Sequence, residues 1–374
     1  MKYKTIWVWS LTVLPLCAVV AQTRYNPEIS VVGDMRVYSH DDMNRSDEKE
    51  KLNIASPGME IVAAGYLNPY ARADAVIAWH GDHNAEIEEL YATVLRGLPF
   101  GMNVRAGKYL LEFGRLNPVH EHAWSFMERP LPHEAFFGEE GLSDMAIRAS
   151  FLLPTGNTYT ELMAGVLKGN ALIGHHHHEE ESEEAESEET ERIDPGFFGL
   201  LATSTAVSEH AELALGISVV NSVYERHVDT LDGSVHELRA WIGGADIKYK
   251  YKPSRYTTLQ IEAEGLLNRQ ETEDGDDVTS YGGYGYVDYR FRQKYNAGGI
   301  FEYISQKNPE EHEDTDAAEN ETWRAGLFVG FAPIEETSLL RLAGHWTEPD
   351  AGDGFWEITL QFVFSLGPHQ PHNF

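Results

Sequence analysis

Polar and apolar side chains alternate at every second residue in sixteen stretches of this chain, a pattern that few folds can accommodate. Between Tyr256 and Leu266, for example, Leu259 and Ile261 alternate with Gln260 and Glu262. A period of two indicates β-strands with two different faces, because a helix would repeat every 3.6 residues. The sixteen stretches lie near residues 28–38, 58–67, 70–79, 87–96, 102–110, 144–153, 158–168, 196–206, 210–221, 238–251, 255–267, 280–292, 295–305, 322–332, 336–346 and 355–365.

The connections between these stretches alternate in length. Short ones, such as Asn68-Pro69 and Gln293-Lys294, alternate with long ones, such as 111–143 and 169–195. Short turns at one rim and long loops at the other are typical of transmembrane barrels. We therefore predict an all-β fold, a transmembrane up-and-down antiparallel β-barrel of about 16 strands (14–16), with long extracellular loops. A secreted β-sandwich or a lipocalin-like protein is the alternative, but neither requires the alternation in loop length.

The first 21 residues have the pattern of a secretory signal peptide. Lys2 and Lys4 precede an apolar run, and cleavage is expected after Ala21. The single cysteine, Cys17, lies inside this segment, so we expect no disulfide and no cysteine ligand in the exported protein. A membrane anchor or an acylated Cys17 are the alternatives for this segment. The predicted domains are a signal peptide (1–21), an outer-membrane barrel (22–366) and a periplasmic tail (367–374) that contains His369 and His372.

The charge of the chain excludes one class of partner. The formal net charge is -31, with 60 acidic and 29 basic residues. Nucleic acids are bound by clustered Lys and Arg, so we expect no nucleic-acid partner. Four long loops, at 39–57, 169–195, 268–279 and 306–321, hold 27 of the 60 carboxylates. Acidic loops keep a surface soluble, and at the mouth of a channel they concentrate cations and disfavour anions.

The loop at 169–195 contains a histidine tract followed by a run of glutamates. His175, His176, His177 and His178 precede Glu179, Glu180 and Glu181. Neutral imidazole is a good ligand for Zn(II), Cu(II) and Ni(II), so we interpret the tract as a weak, multi-site metal-capture segment. A hydrophilic loop with accidental ligands is the alternative. Thirteen of the 17 histidines fall in or beside the long loops, which favours the metal interpretation.

The loop at 111–143 differs from the acidic loops because it is rich in Trp, Phe, Met and Leu. Such side chains are costly to expose, so we predict that this loop folds inward as a constriction of the lumen; an external loop packed on its neighbours is the alternative. His120 and His122 are expected on one side of an extended segment, with His133 and Glu139 available later in the loop. Three imidazoles and one carboxylate would suit tetrahedral Zn(II).

At these residues the chain resembles the bacterial outer-membrane proteins known as zinc-regulated outer-membrane receptors or porins. The resemblance rests on Phe113–Pro118, His120 and His122, Arg129-Pro130-Leu131, Phe137–Leu142 and the closing 367–374 segment. It implies a barrel linked to zinc limitation, a zinc-related role for His120, His122 and His133, and a constriction-loop motif that includes Arg115, Asn117, Arg129 and Glu140. TonB dependence, often assumed in this family, is not expected, because no plug domain fits before the first strand.

The predicted function is capture and passive entry of divalent metal, zinc above all, under metal limitation. No cofactor is required, and Zn(II) is the expected ligand or transported ion. Expected partners are outer-membrane lipid and lipopolysaccharide, the barrel assembly machinery, and further copies of the chain in a homotrimer. An enzyme is not expected, since the chain has no Gly-x-Ser-x-Gly and no His-Glu-x-x-His pattern. A general cation-preferring porin with incidental histidines and a non-transporting surface barrel or adhesin remain open.

Overall fold

The computed structural model describes residues 27–81, 84–169, 171–172, 194–228, 235–272, 275–307, 320–334 and 337–367. The predicted signal peptide (1–21), the histidine tract (His175 to His178) and all but the first residue of the predicted tail (367–374) lie outside these ranges. Within them no helix is both long and apolar enough to cross a membrane.

The described residues form seventeen strands, one of which has only two residues. Each of the sixteen longer strands coincides with one of the sixteen alternating stretches, with ends that differ by a few residues. The strands are β1 (Glu28–His40), β2 (Asn53–Ile54), β3 (Gly58–Asn68), β4 (Ala71–Trp79), β5 (Glu86–Val94), β6 (Asn103–Leu110), β7 (Ser143–Leu152), β8 (Tyr159–Leu167), β9 (Gly196–Ser208), β10 (Ala211–Val228), β11 (Val235–Ser254), β12 (Thr257–Glu271), β13 (Asp277–Phe291), β14 (Tyr295–Gln306), β15 (Asn320–Ile334), β16 (Ser338–Pro349) and β17 (Phe355–Leu366).

The sixteen longer strands form one closed antiparallel barrel. Each strand pairs with its neighbours in sequence, and β1 closes the ring by pairing with both β17 and β3. The register runs from Val31 opposite Leu366 to His40 opposite Glu357 on one side of β1, and from Glu28 opposite Ala64 to Asp34 opposite Gly58 on the other. Closure leaves no unpaired edge, as a strand-built membrane protein requires. The two-residue strand β2 pairs with β1, with Val37 opposite Ile54 and Tyr38 opposite Asn53.

The two faces of the barrel differ in polarity, as the alternation predicts. In β12, Gln260, Glu262 and Glu264 are buried on the inner side, whereas Ile261 and Leu267 are exposed on the outer side. An apolar outer face suits lipid contact, and charged inner side chains are stable only where they are paired or hydrated.

Aromatic side chains near the ends of membrane-spanning strands are expected to form girdles at the membrane interface, but here only some of them face outward. Trp241 is exposed on the outer face of β11, where its neighbour Ile242 is buried on the inner face. Tyr91 and Tyr109 are instead on the inner side, where their rings meet edge to face at 5.6 Å beneath Arg105. The pattern of residue types cannot distinguish an aromatic ring facing lipid from one facing the lumen.

The connection predicted as a loop at 222–237 is mostly sheet. β10 and β11 continue their pairing as far as Val228 opposite Val235, with one register shift near Tyr224. Backbone pairing satisfies the polar groups of this connection more completely than an open loop would. The hairpin therefore extends the barrel wall beyond the predicted strand ends.

Candidate functional site

The segment between β6 and β7 lies inside the barrel. It contains a short α-helix, α1 (Leu131–Phe137), and a single 3₁₀ turn (Glu121–Ala123). Its apolar side chains pack on the inner wall in two clusters. In one of them Leu116, Trp124 and Phe126 lie against Tyr284, Tyr286 and Phe328. Burial of each such side chain contributes roughly 1.5–3 kcal/mol, which explains why a loop so rich in apolar residues folds inward.

Arginines of the wall hold this loop by its backbone. Arg341 donates to the carbonyl oxygens of Trp124 (2.6 Å) and Phe126 (2.8 Å). Arg324 donates to the carbonyl oxygen of Arg129 (2.7 Å). Because the contacts are to backbone atoms, they fix the path of the loop and leave its side chains available for other roles.

The motif residues of the loop have structural partners. The amide of Asn117 donates to the carbonyls of Leu111 (2.8 Å) and Leu142 (2.9 Å), and its oxygen accepts from the Leu142 N–H, so Asn117 closes the base of the loop. Arg115 pairs with Asp246 on the wall. Arg129 donates to the carbonyl of Glu139 (2.9 Å) and pairs with Glu121 (3.3 Å).

Glu139 and Glu140 lie just after α1, and both residues are exposed. Glu139 contributes its backbone carbonyl to the Arg129 contact.

His120 and His122 come together, as the sequence predicts. Their rings stack with centroids 5.8 Å apart, and they face a group of wall carboxylates from β3 and β5. His120 Nδ1 is 3.6 Å from Glu60 Oε2 and 3.5 Å from Glu88 Oε1. His122 Nδ1 is 3.2 Å from the other Glu60 oxygen. We call Glu60, Glu88, Glu89, His120 and His122 the His120 cluster.

The distances in the His120 cluster fit a small tetrahedral ion. Ligands about 2.1 Å from zinc are about 3.4 Å apart, close to the separations of His120 Nδ1 from Glu60 and Glu88. His120 Nε2 faces Glu89 Oε2 at 3.4 Å. This is the arrangement in which a carboxylate orients an imidazole while the other ring nitrogen binds metal.

The carboxylates of the cluster also set the protonation of His120. Burial alone would lower its pKa, but the contacts with Glu88 and Glu89 and the charge of Glu60 outweigh burial, and they raise the pKa of His120 well above its usual range. The same negative field that holds a proton there attracts a metal cation.

The structure divides the predicted ligand set, so the four residues do not form one site. His133 lies on α1, fully buried, with Nε2 at 3.3 Å from Glu264 and its ring edge-on to Tyr284. Glu139 does not join His120 and His122 either: among the described residues, the groups of His, Cys, Asp or Glu whose ligand atoms lie within 4.8 Å of one another do not include it. The tract of His175, His176, His177 and His178 lies outside the described residues.

Three carboxylates of the His120 cluster were missed by sequence reasoning. Glu60 is a single carboxylate inside the otherwise apolar start of β3, and Glu88-Glu89 breaks the alternation of β5. At this break Val76 is opposite Glu89 while Ile77 is opposite Ile87, so Glu88 is an extra residue in β5. Such a bulge turns consecutive side chains toward one face. Two adjacent acids inside a strand were therefore the available signal.

Comparison with known proteins supports the fold. No protein-family profile matches the chain. An uncharacterised protein of Aquifex aeolicus (strain VF5) is 27% identical over 356 residues, which are 90% of this chain and 72% of that protein.

Solved porin structures superpose on most of the barrel. They include an anion-selective porin of Comamonas acidovorans (TM-score 0.59, 8% identity, 92% of this chain and 100% of that one). The trimer form of OmpT of Vibrio cholerae has a TM-score of 0.58 at 9% identity, over 91% of this chain and 99% of that one. OprB of Pseudomonas putida has a TM-score of 0.56 at 10% identity, over 93% of this chain and 96% of that one. At such identities the likeness shows the fold: a closed 16-strand barrel of the outer-membrane porin type, located in a bacterial outer membrane.

Proposed function

We propose that this protein is a porin-like channel that captures divalent metal cations, zinc above all, and admits them passively through its lumen. The observation that carries the proposal is the His120 cluster, in which two imidazoles and three carboxylates meet inside the barrel. Imidazole favours transition metals over Ca(II) and Mg(II), which prefer all-oxygen sites. In this proposal zinc is the cargo of the channel, and the protein needs no cofactor and performs no catalysis.

The surroundings of the cluster support passage as well as binding. Its five side chains are mostly but not fully buried, with His120 14% and Glu88 19% exposed, so the site is open to the lumen. A site assembled from a loop and two strands, with five candidate ligands for a four-coordinate ion, allows exchange of ligands during entry and release. The tract of His175 to His178 would supply metal to the mouth, and three barrels would assemble as a homotrimer.

The test is planar-bilayer conductance of the refolded full-length protein, with and without micromolar zinc. We expect open channels whose conductance of K⁺ falls when zinc is added, because a bound divalent ion obstructs and repels other cations. His120→Asn should reduce this effect. His210→Asn, which alters an exposed histidine in the turn between β9 and β10, is the matched control and should retain it.

Two results would contradict the proposal in different ways. If the channels open normally and zinc does not change their conductance, the protein is a general cation-preferring porin with incidental histidines. If the folded barrel never conducts, the protein is a non-transporting surface barrel or adhesin.

A further inference from the structure

A second group of metal-type ligands lies elsewhere in the lumen. Among the described residues, only two groups of three or more His, Cys, Asp or Glu side chains have ligand atoms within 4.8 Å of one another. One is part of the His120 cluster. The other joins Glu128 of the inward loop to His345 of β16 and Glu357 of β17. Neither the histidine pattern nor the loop motif of the sequence indicates it.

The three side chains converge from separate elements. His345 and Glu357 are directly opposite each other in the β16–β17 register, so they share the inner face of the wall. Glu128 comes from the loop, with Oε2 at 3.5 Å from His345 Nδ1. One ligand atom from each of Glu128, His345 and Glu357 lies within 4.8 Å of the other two. Two carboxylates held this close repel each other unless a proton or a cation lies between them.

The positive charges near Glu128 and Glu357 do not fully balance the negative charges of the carboxylates there. Arg324 pairs with Glu128 (3.0 Å) but also with Glu302 (2.8 Å). Arg45 pairs with Glu357 (2.5 Å) but also with Asp42 (3.3 Å). Each guanidinium therefore serves two acids.

We propose that Glu128, His345 and Glu357 form a second, separate lumenal site for a divalent transition-metal cation of the zinc type. One imidazole nitrogen and two carboxylate oxygens leave a fourth position for water, the arrangement of an exchangeable rather than a closed zinc site. The 3.5 Å between Nδ1 and Oε2 matches the ~3.4 Å edge of a zinc tetrahedron. Glu128 is 31% exposed, so an ion can reach it from the lumen.

The second site and the His120 cluster are separate groups of ligands. Between His120 and Glu128 along the chain, Glu121 is engaged by Arg36 of β1 at 3.5 Å and by Arg129 at 3.3 Å. The two sites share no ligand, so each can be removed alone. The inference deepens the proposed function by adding a second binding position for the same cargo. As a binding site, however, it does not depend on conduction.

The experiment counts zinc ions bound to the refolded full chain by equilibrium dialysis. The starting protein carries His175→Asn, His176→Asn, His177→Asn and His178→Asn, so that the tract does not contribute. We expect His345→Asn to lower the stoichiometry by one zinc ion per chain, His120→Asn to lower it by one, and the double variant by two. His210→Asn should leave the number unchanged.

Glu128→Gln provides a second route if His345→Asn does not fold, because Glu128 belongs to the loop and not to the wall. Folding of each variant is checked by circular dichroism and by the heat-dependent mobility of the barrel in gels. Full zinc stoichiometry in folded His345→Asn or Glu128→Gln overturns the second site. If those variants bind one zinc ion fewer but zinc does not change the conductance of the unmodified protein, the second site stands and the proposed channel function is refuted.

Discussion

At the scale of single residues, the bulge at Glu88 determines what the candidate site can bind. A regular strand would place Glu88 and Glu89 on opposite faces, one toward lipid and one toward the lumen. The extra residue lets both approach His120, Glu88 at Nδ1 and Glu89 at Nε2. The site thus has a candidate metal ligand and a carboxylate that orients the imidazole from two adjacent positions.

Replacement of the orienting carboxylate tests this assignment. Glu89→Gln should weaken zinc binding by roughly tenfold to a hundredfold, the usual effect of losing the partner that fixes a metal-binding histidine. Isothermal titration of the tract-free protein with zinc measures the change. Glu86→Gln, an exposed acid at the start of the same strand, is the matched control. An unchanged affinity in Glu89→Gln would show that Nε2 does not need Glu89.

The raised pKa of His120 predicts how zinc binding depends on pH. Zinc binds only the unprotonated ring nitrogen. An ordinary histidine has a pKa of about 6.5, so a histidine with a raised pKa stays protonated at pH values where an ordinary one has lost its proton. Protons therefore compete with zinc at neutral pH, and the zinc effect on conductance should strengthen as the pH is raised from 6 to 8. Equal zinc sensitivity across this interval would contradict the raised pKa of His120.

At the scale of elements, the inward loop is held by buried arginines that contact its backbone. Arg341 is only 2% exposed, and it links the carbonyls of Trp124 and Phe126 to Gln361 of β17. Removal of a buried charged donor leaves several acceptors without partners, at a cost of about 1–3 kcal/mol for each one left unsatisfied. The loop, not the strongly paired wall, should respond first.

We expect Arg341→Gln to loosen the loop without unfolding the barrel. Its loop should become accessible to added protease, and the single-channel conductance should rise, because less of the lumen stays filled. Arg269→Gln, which removes an exposed arginine that pairs with Asp277, is the control and should change neither measurement. A protected loop and an unchanged conductance in Arg341→Gln would mean that apolar packing alone holds the loop in place.

At the scale of the whole molecule, negative charge dominates. The chain carries 60 acidic and 29 basic residues, and the lumenal acids Glu60, Glu88 and Glu89 are gathered on one part of the wall. Acidic side chains in a narrow lumen favour cations over anions. Similarity in fold to an anion-selective porin does not carry selectivity over, because selectivity depends on the side chains that line the lumen.

A salt gradient across a bilayer tests this charge argument. The reversal potential in KCl should show preference for K⁺ over Cl⁻, and the preference should decline at 1 M salt, where the screening length is only about 3 Å. The double variant Glu60→Gln and Glu88→Gln should reduce it. A preference for Cl⁻ in the unmodified protein would refute the electrostatic part of the proposed function.

Much of the barrel could be predicted from local sequence because its constraints are local. The alternation in β12 indicates which side chains face lipid, and the lengths of the connections indicate the up-and-down order of the strands. All sixteen longer strands and their pairing can therefore be predicted from residues that are close together in the chain. The sequence pattern underestimated the length of β10 and β11, which pair as far as Val228 and Val235. Backbone pairing can continue where the side chains no longer alternate.

The barrel, its two faces and the approach of His120 to His122 can be predicted from spacing along the chain. Tertiary packing is needed to bring particular carboxylates to those histidines, to join His133 to Glu264 instead, and to make Glu128, His345 and Glu357 converge. Barrel closure brings together residues from distant strands, and the route of one inward loop selects among them. Contacts of that kind depend on three-dimensional packing, which no periodicity in the sequence records.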